Sequence, residues 1–285
     1  MRVLIATDLS KAADEAIRQA AALAGANGSL AAVHVLPSLQ SVSMLFPQTY
    51  ANEAVDRGAA LARVNDAVRE RIMKIADRNA EIFVEHGSDY AEIVRRAEAW
   101  RADIVVVGSH GHTGLSRVFG GVAERIVRYA HCRVLIARET PKRGIVLVAT
   151  DLSEPSLPAV MAAAEEAARR GVALKVIHAV DFGDMYSTHL FGVGTPATYD
   201  VTHLQDPARE RLDEVMKRNH IKAETKIISG SAAAAIVGEA DATGAELLVV
   251  GSHGRTGLTR ILLGSVAEKV VRTSSCSVLV VRMPS

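Results

Sequence analysis

The chain repeats itself. Residues 3–10 read VLIATDLS and residues 146–153 read VLVATDLS, an offset of 143 positions. VVVGSHG at 105–111 returns as LVVGSHG at 248–254, and TGLSR at 113–117 as TGLTR at 256–260, at the same offset. VAERIVR at 122–128 then returns as VAEKVVR at 266–272, shifted by 144. Self-similarity on this scale predicts two copies of one fold. The expected units are residues 1–139 and 140–285, joined near RETPKRG (138–144). Two units of this size fit a 285-residue chain.

Each half alternates short apolar runs with amphipathic stretches. RVLIAT (2–7), LAAVHVL (30–36), EIFVEH (81–86), DIVVVG (103–108) and RVLIAR (133–138) read as five strands. GIVLVAT (144–150), ALKVIHAV (173–180), AETKIIS (223–229), ELLVVG (246–251) and SVLVVR (277–282) match them. Near-continuous apolar runs suit parallel strands buried on both faces. Helices are expected after the first strand, where Gly25 and Gly28 offer stops, at 50–79 and 201–219, at 89–101 and 231–243, and at 121–130 and 265–274. The predicted class is α/β, with two similar doubly wound five-stranded parallel-sheet domains. Aromatic residues make up only 4% of the chain, so Ala, Val, Leu and Ile must fill both cores.

Composition narrows the partners. The net charge of +1 argues against a nucleic-acid footprint and against an acidic membrane surface. No apolar stretch is long enough to predict a membrane span. Cys132 and Cys276 are too few for a disulfide framework. A reducing, cytoplasmic setting is expected.

A doubly wound sheet takes ligands outside the carboxyl ends of its strands, where the strand order reverses. Thr7-Asp8, Gly108-Ser109, Thr150-Asp151 and Gly251-Ser252 all follow apolar runs directly. In the second half, Gly251 and Gly254 precede nine residues and then Gly264-Ser265 ahead of a helix. Glycines let backbone N–H groups approach phosphate oxygens, and a serine at a helix N-cap adds a hydroxyl. No GxxxxGK[ST] loop is present, so phosphate charge would be met by backbone amides, a metal ion or a side chain such as Arg255.

These residues resemble the universal stress proteins in a tandem, two-domain form. The markers are Ala-Thr-Asp at the end of strand one, a histidine on strand two, the G-x-x-G-x9-G-[ST] loop, and the Val-Leu-Val-Val strand after Cys276. The resemblance implies a Rossmann-like, adenine-nucleotide alpha hydrolase-like fold. It also implies ATP as ligand, with or without magnesium. An adenine and ribose pocket is implied around Ala149, Thr150, Asp151 and Ala179, with a phosphate cradle at Gly251, His253, Gly254, Gly264, Ser265 and Val266. A weaker site is implied at Asp8, Val35, Gly108, Gly111 and Gly120, because the first loop lacks the hydroxyl residue before its helix.

Simpler readings stand beside these. Asp8 and Asp151 can cap the following helices. His34 and His178 read as packing or backbone-bonding residues. His110, His112 and His253 show no metal-ligand pattern, and His189, Asp200 and His203 match no recognised one. The loops at 37–50 and 181–203 read as lids or as surface connections. The fifth strands, at sheet edges, are expected to pair within one chain as a pseudo-dimer, as single-domain relatives do between chains. A homodimer of whole chains stays open. The expected role is a nucleotide-dependent stress-response regulator with a protein partner. The alternatives are a slow ATPase or autophosphorylating enzyme, and an interaction scaffold without nucleotide. No catalytic residue is assigned.

Overall fold

The computed structural model describes residues 1–37, 57–109, 121–139, 144–180, 202–252 and 263–283. The chain divides into two compact units, Met1–Arg138 and Glu139–Ser285.

Unit 1 contains β1 (Arg2–Ala6), α1 (Lys11–Ala24), β2 (Ser29–Leu36), α2 (Arg57–Ala76), β3 (Glu81–His86), α3 (Asp89–Ala99), β4 (Ile104–Gly108), α4 (Gly121–Tyr129) and β5 (Arg133–Ala137). Its strands are all parallel, in the order β3-β2-β1-β4-β5. Unit 2 contains β6 (Ile145–Ala149), a 3-10 turn (Glu154–Ser156), α5 (Leu157–Arg170), β7 (Ala173–Val180), α6 (Thr202–Arg218), β8 (Glu224–Ser229), α7 (Ala232–Thr243), β9 (Leu247–Gly251), α8 (Ser265–Thr273) and β10 (Ser277–Val281). Its order is β8-β7-β6-β9-β10, again parallel.

The strand residues explain the layering. Val3, Leu4 and Ile5 are fully buried in succession, as are Val146, Leu147 and Val148. Consecutive burial means that helices cover both faces of each central strand. Those helices present small side chains. Ala13, Ala16, Ile17, Ala20, Leu23 and Ala24 form the buried face of α1 at helical spacing. Ala159, Val160, Ala162, Ala163 and Ala167 do the same for α5. Alanine lets the helix axis approach the β-branched sheet closely, so the core closes with few aromatic residues.

Helix ends follow local chemistry. Ser10 caps α1, its Oγ accepting from Ala13 N at 3.3 Å. Gly25, at φ 57°, ends it and donates to Ala21 O at 3.1 Å. Gly171 and Gly244 stop α5 and α7 in the left-handed conformation. The helix expected over 50–79 is described for Arg57–Ala76, and residues 50–56 lie outside the described residues. Among the described residues, no helix is long and apolar enough to cross a membrane.

In each unit the order reverses beside the first strand. The chain runs β1, β2, β3 outward, then returns to place β4 against the other edge of β1. The carboxyl ends of β1 and β4, and of β6 and β9, therefore stand side by side at the switch in winding. Ala6 is registered against Val107, and Ala149 against Val250.

Candidate functional site

The two strand ends of unit 2 bring Thr150-Asp151 beside Gly251-Ser252. Thr150 is buried, and its N–H continues the ladder to Ile177 O at 3.0 Å. Its Oγ1 accepts from Leu152 N at 3.0 Å, closing a tight turn that holds Leu152 at φ 63°. Left-handed backbone is unusual for leucine and marks a turn fixed by its surroundings. Asp151 Oδ1 accepts from Ser153 N at 3.0 Å and from Ser153 Oγ at 2.5 Å. His178 sits within β7, buried, with Nδ1 2.7 Å from Thr150 O.

Unit 1 repeats the arrangement. Thr7 is buried and takes Leu9 N on its Oγ1 at 3.1 Å, with Leu9 at φ 64°. Asp8 Oδ1 accepts from Ser10 N at 3.0 Å. His34 Nδ1 lies 2.8 Å from Thr7 O. The backbone-bonding role expected for both histidines is what the geometry gives. Neither aspartate is the cap of its helix. Each folds back on the residue two ahead, forming an Asx turn, and in unit 1 the capping falls to Ser10.

On the β9 side, Ser252 is 2% exposed and donates through its N–H to Val281 O at 2.8 Å. Its carbonyl accepts from Gly264 N at 2.9 Å, which ties the start of α8 to the end of β9. The cap of α8 is Gly264, at φ −60° and ψ 142°, and Ser265 is the first helical residue rather than the N-cap expected from the sequence. The difference is one of register. Gly264 O accepts from Glu268 N at 2.9 Å, so the first helical bond begins one residue earlier. Ser265 and Val266 are exposed at this end, Val266 by 38%. Gly251, Ala149, Asp151 and Ala179 are partly exposed at the strand ends.

Gly108 has a packing reason for being glycine. A Cβ there would stand 2.8 Å from the Ala12 carbonyl oxygen and 3.2 Å from Ala13 N. Sequence reasoning placed this glycine in a ligand site and missed its contact with α1. Val35 is partly exposed near the end of β2. Gly111, Gly120, His253 and Gly254, with His110, His112 and Arg255, lie outside the described residues, as do 38–56 and 181–201.

A cleft of about 120 Å³ opens against the Asp151 turn. It is lined by Thr150, Leu152, Ser153, Ser156, Val215 and Arg218, among others. No signal in the sequence pointed to it, because it forms where α6 passes the start of α5. At the corresponding place in unit 1, Arg71 makes two bonds of 2.7 Å to Asp14, where unit 2 has Leu157 143 positions on. Among the described residues, no group of three His, Cys, Asp or Glu side chains could hold a metal. Cys276 is buried beside Ser274, and Cys132 is partly exposed.

The arrangement offers a fixed carboxylate and a helix N-terminus on two strand ends that flank the reversal in winding. That is an acceptor and a donor set suited to one small polar ligand. Comparison with known proteins agrees with the fold. A universal stress protein of Mycobacterium tuberculosis is 31% identical over 250 residues, covering 84% of this chain and 81% of the relative. One from Mycolicibacterium smegmatis is 27% identical and spans 98% of this chain and 96% of its own. The crystal structure of a universal stress protein from Archaeoglobus fulgidus superposes with a TM-score of 0.69 at 21% identity, covering 99% of this chain and 98% of that one. The family model for the universal stress proteins matches twice, over residues 1–138 and 142–282. The chain belongs to the universal stress protein family, in a tandem two-domain form.

Proposed function

We propose that unit 2 binds an adenine nucleotide, ATP with magnesium, and that the chain is a nucleotide-dependent regulator of a stress response. The observation that carries this reading is the junction of β6 and β9. There the Asp151 turn follows β6, and the N-terminus of α8 is tethered to the end of the neighbouring β9. In this reading Ala149, Thr150, Asp151 and Ala179 face the adenine and ribose. Gly251, Gly264, Ser265 and Val266, with His253 and Gly254, face the phosphates.

Gly264 supports the phosphate assignment. Its φ and ψ are open to any residue, so glycine is not needed there for backbone conformation. Lack of a side chain at a helix N-terminus is what an approaching anion requires. The α8 dipole adds roughly 0.3–1 kcal/mol at an exposed position. Unit 1 binds nucleotide more weakly or not at all in this reading, since Gly121 stands where Ser265 does in the second repeat. The chain acts in the cytoplasm and passes the nucleotide state to a protein partner.

Calorimetric titration with ATP and magnesium tests the assignment. Gly264→Val is expected to weaken binding by about tenfold or more, a change of roughly 1.4 kcal/mol. Gly120→Val is expected to leave it nearly unchanged. Equal losses would mean that both units bind, and no loss with Gly264→Val would remove the phosphate site from α8.

A further inference from the structure

The two repeats carry the same tetrapeptide, Thr-Asp-Leu-Ser, yet its last hydroxyl does different work in each. Ser10 Oγ accepts from Ala13 N and caps α1. Ser153 Oγ instead donates to Asp151 Oδ1, and it makes no cap bond to the helix. The cause lies three residues on. Unit 1 has Ala13, while unit 2 has Ser156, 143 positions later. Ser156 is 4% exposed and must satisfy its hydroxyl inside the protein.

Ser156 does so by gripping Ser153. Its Oγ donates to Ser153 O at 2.8 Å and its N–H donates to the same oxygen at 3.0 Å. A hydroxyl carries one hydrogen, so Ser156 has none left for Thr150. The 2.8 Å contact between the two hydroxyls therefore has Thr150 as donor. The chain of bonds runs from Thr150 to Ser156, from Ser156 to the Ser153 backbone, and from Ser153 Oγ to the carboxylate. Thr150 is itself held by His178 through its carbonyl. Asp151 Oδ1 thus receives two bonds from one clamped residue, from the N–H and from the Oγ of Ser153.

We infer that Ser153, steadied by Ser156 and Thr150, is a positioning residue that pre-sets the Asp151 carboxylate to accept a hydrogen bond from the bound nucleotide, and that unit 1 lacks this device. The inference rests on the nucleotide reading of unit 2. It places part of the asymmetry between the repeats in the aspartate turns, independently of the glycine loops. A carboxylate already fixed in place loses less side-chain freedom on binding. The donor it meets is a ribose hydroxyl or the adenine exocyclic amine.

The test is a double-mutant cycle read by calorimetry with ATP and magnesium. Ser153→Ala is expected to weaken binding about two- to tenfold, while Ser153→Thr, which keeps the hydroxyl, binds as the native chain does. In an Asp151→Ala background, titrated at higher ATP, Ser153→Ala should cause no further loss. A residue with a merely structural role would weaken both backgrounds alike. 2′,3′-DideoxyATP and inosine triphosphate separate the two donors, since the analogue that lacks the donor becomes insensitive to Ser153→Ala. Native affinity in Ser153→Ala, equal losses in both backgrounds, or full sensitivity with both analogues would each overturn the inference while leaving the nucleotide site standing. Failure of the native chain to bind ATP would overturn both.

Discussion

At the scale of single residues, the strand-end aspartates were legible and their hydrogen bonds were not. Asp8 and Asp151 stand out because each follows an apolar run and is polar where the strand must end. Capping was the simple expectation for both. The structure gives that task to Ser10 in unit 1, a difference decided by Ala13 against Ser156 and invisible in the repeated tetrapeptide itself. Ser10→Ala should lower the stability of unit 1 by about 1 kcal/mol, the usual worth of an N-cap, as read from thermal unfolding. Nucleotide affinity should not change.

Charge supplies a second residue-scale prediction. Burial pushes the Glu239 carboxyl up, but hydrogen bonds from Lys226 and Lys175 outweigh it and hold the group below its ordinary range. Burial likewise pulls the Lys175 ammonium down, and bonds to Glu239 and Glu224 outweigh that and raise it. A carboxyl depressed in the folded state adds stability above its unfolded value, about 4.3, and loses it as pH falls through the folded value. Glu239→Gln should therefore destabilise unit 2 by about 1 kcal/mol at pH 7. The difference from the native chain should shrink steadily below about pH 4. Melting curves from pH 7 to pH 3 give the answer, and a gap that stays constant with pH would remove the carboxylate from the account.

At the scale of elements, strand and helix order followed from hydrophobic period, and among the described residues the boundaries moved by one to three residues. The repeats also show one packing slot filled in two ways. In unit 1, Arg96 of α3 lies 4.1 Å over the Phe83 ring of β3 and bonds Glu85. At the positions 143 further on, unit 2 has Glu239 and Lys226, which form an ion pair of 2.7 Å. Each is a helix-to-edge-strand clasp, and neither could be paired from sequence without knowing which helix covers which strand. Gly108 carries an element-scale packing role that no spacing in the sequence signals. Because a Cβ would meet backbone atoms of α1, Gly108→Ala should destabilise unit 1 by about 1–3 kcal/mol. Trp100 is the one tryptophan of the chain and is buried in unit 1, with Nε1 bonded to Glu81 at 2.8 Å. Its fluorescence should show the early melting, and an unchanged transition would contradict the close approach.

At the scale of the whole molecule, duplication made the fold readable. Each marker was weak alone, but its return at a fixed offset turned short apolar runs into corresponding strands. The candidate site was readable only as a place, the carboxyl ends beside the reversal in winding. Its hydroxyl relay depends on side-chain geometry that no spacing rule encodes. The central claim is asymmetry, with one nucleotide held by unit 2. Native mass spectrometry of the purified chain, equilibrated with ATP and magnesium and referred to the chain's own mass, tests it most directly. The account predicts one ATP per chain. Two per chain would contradict the asymmetry between the repeats, and none at saturating ATP would contradict the nucleotide site itself.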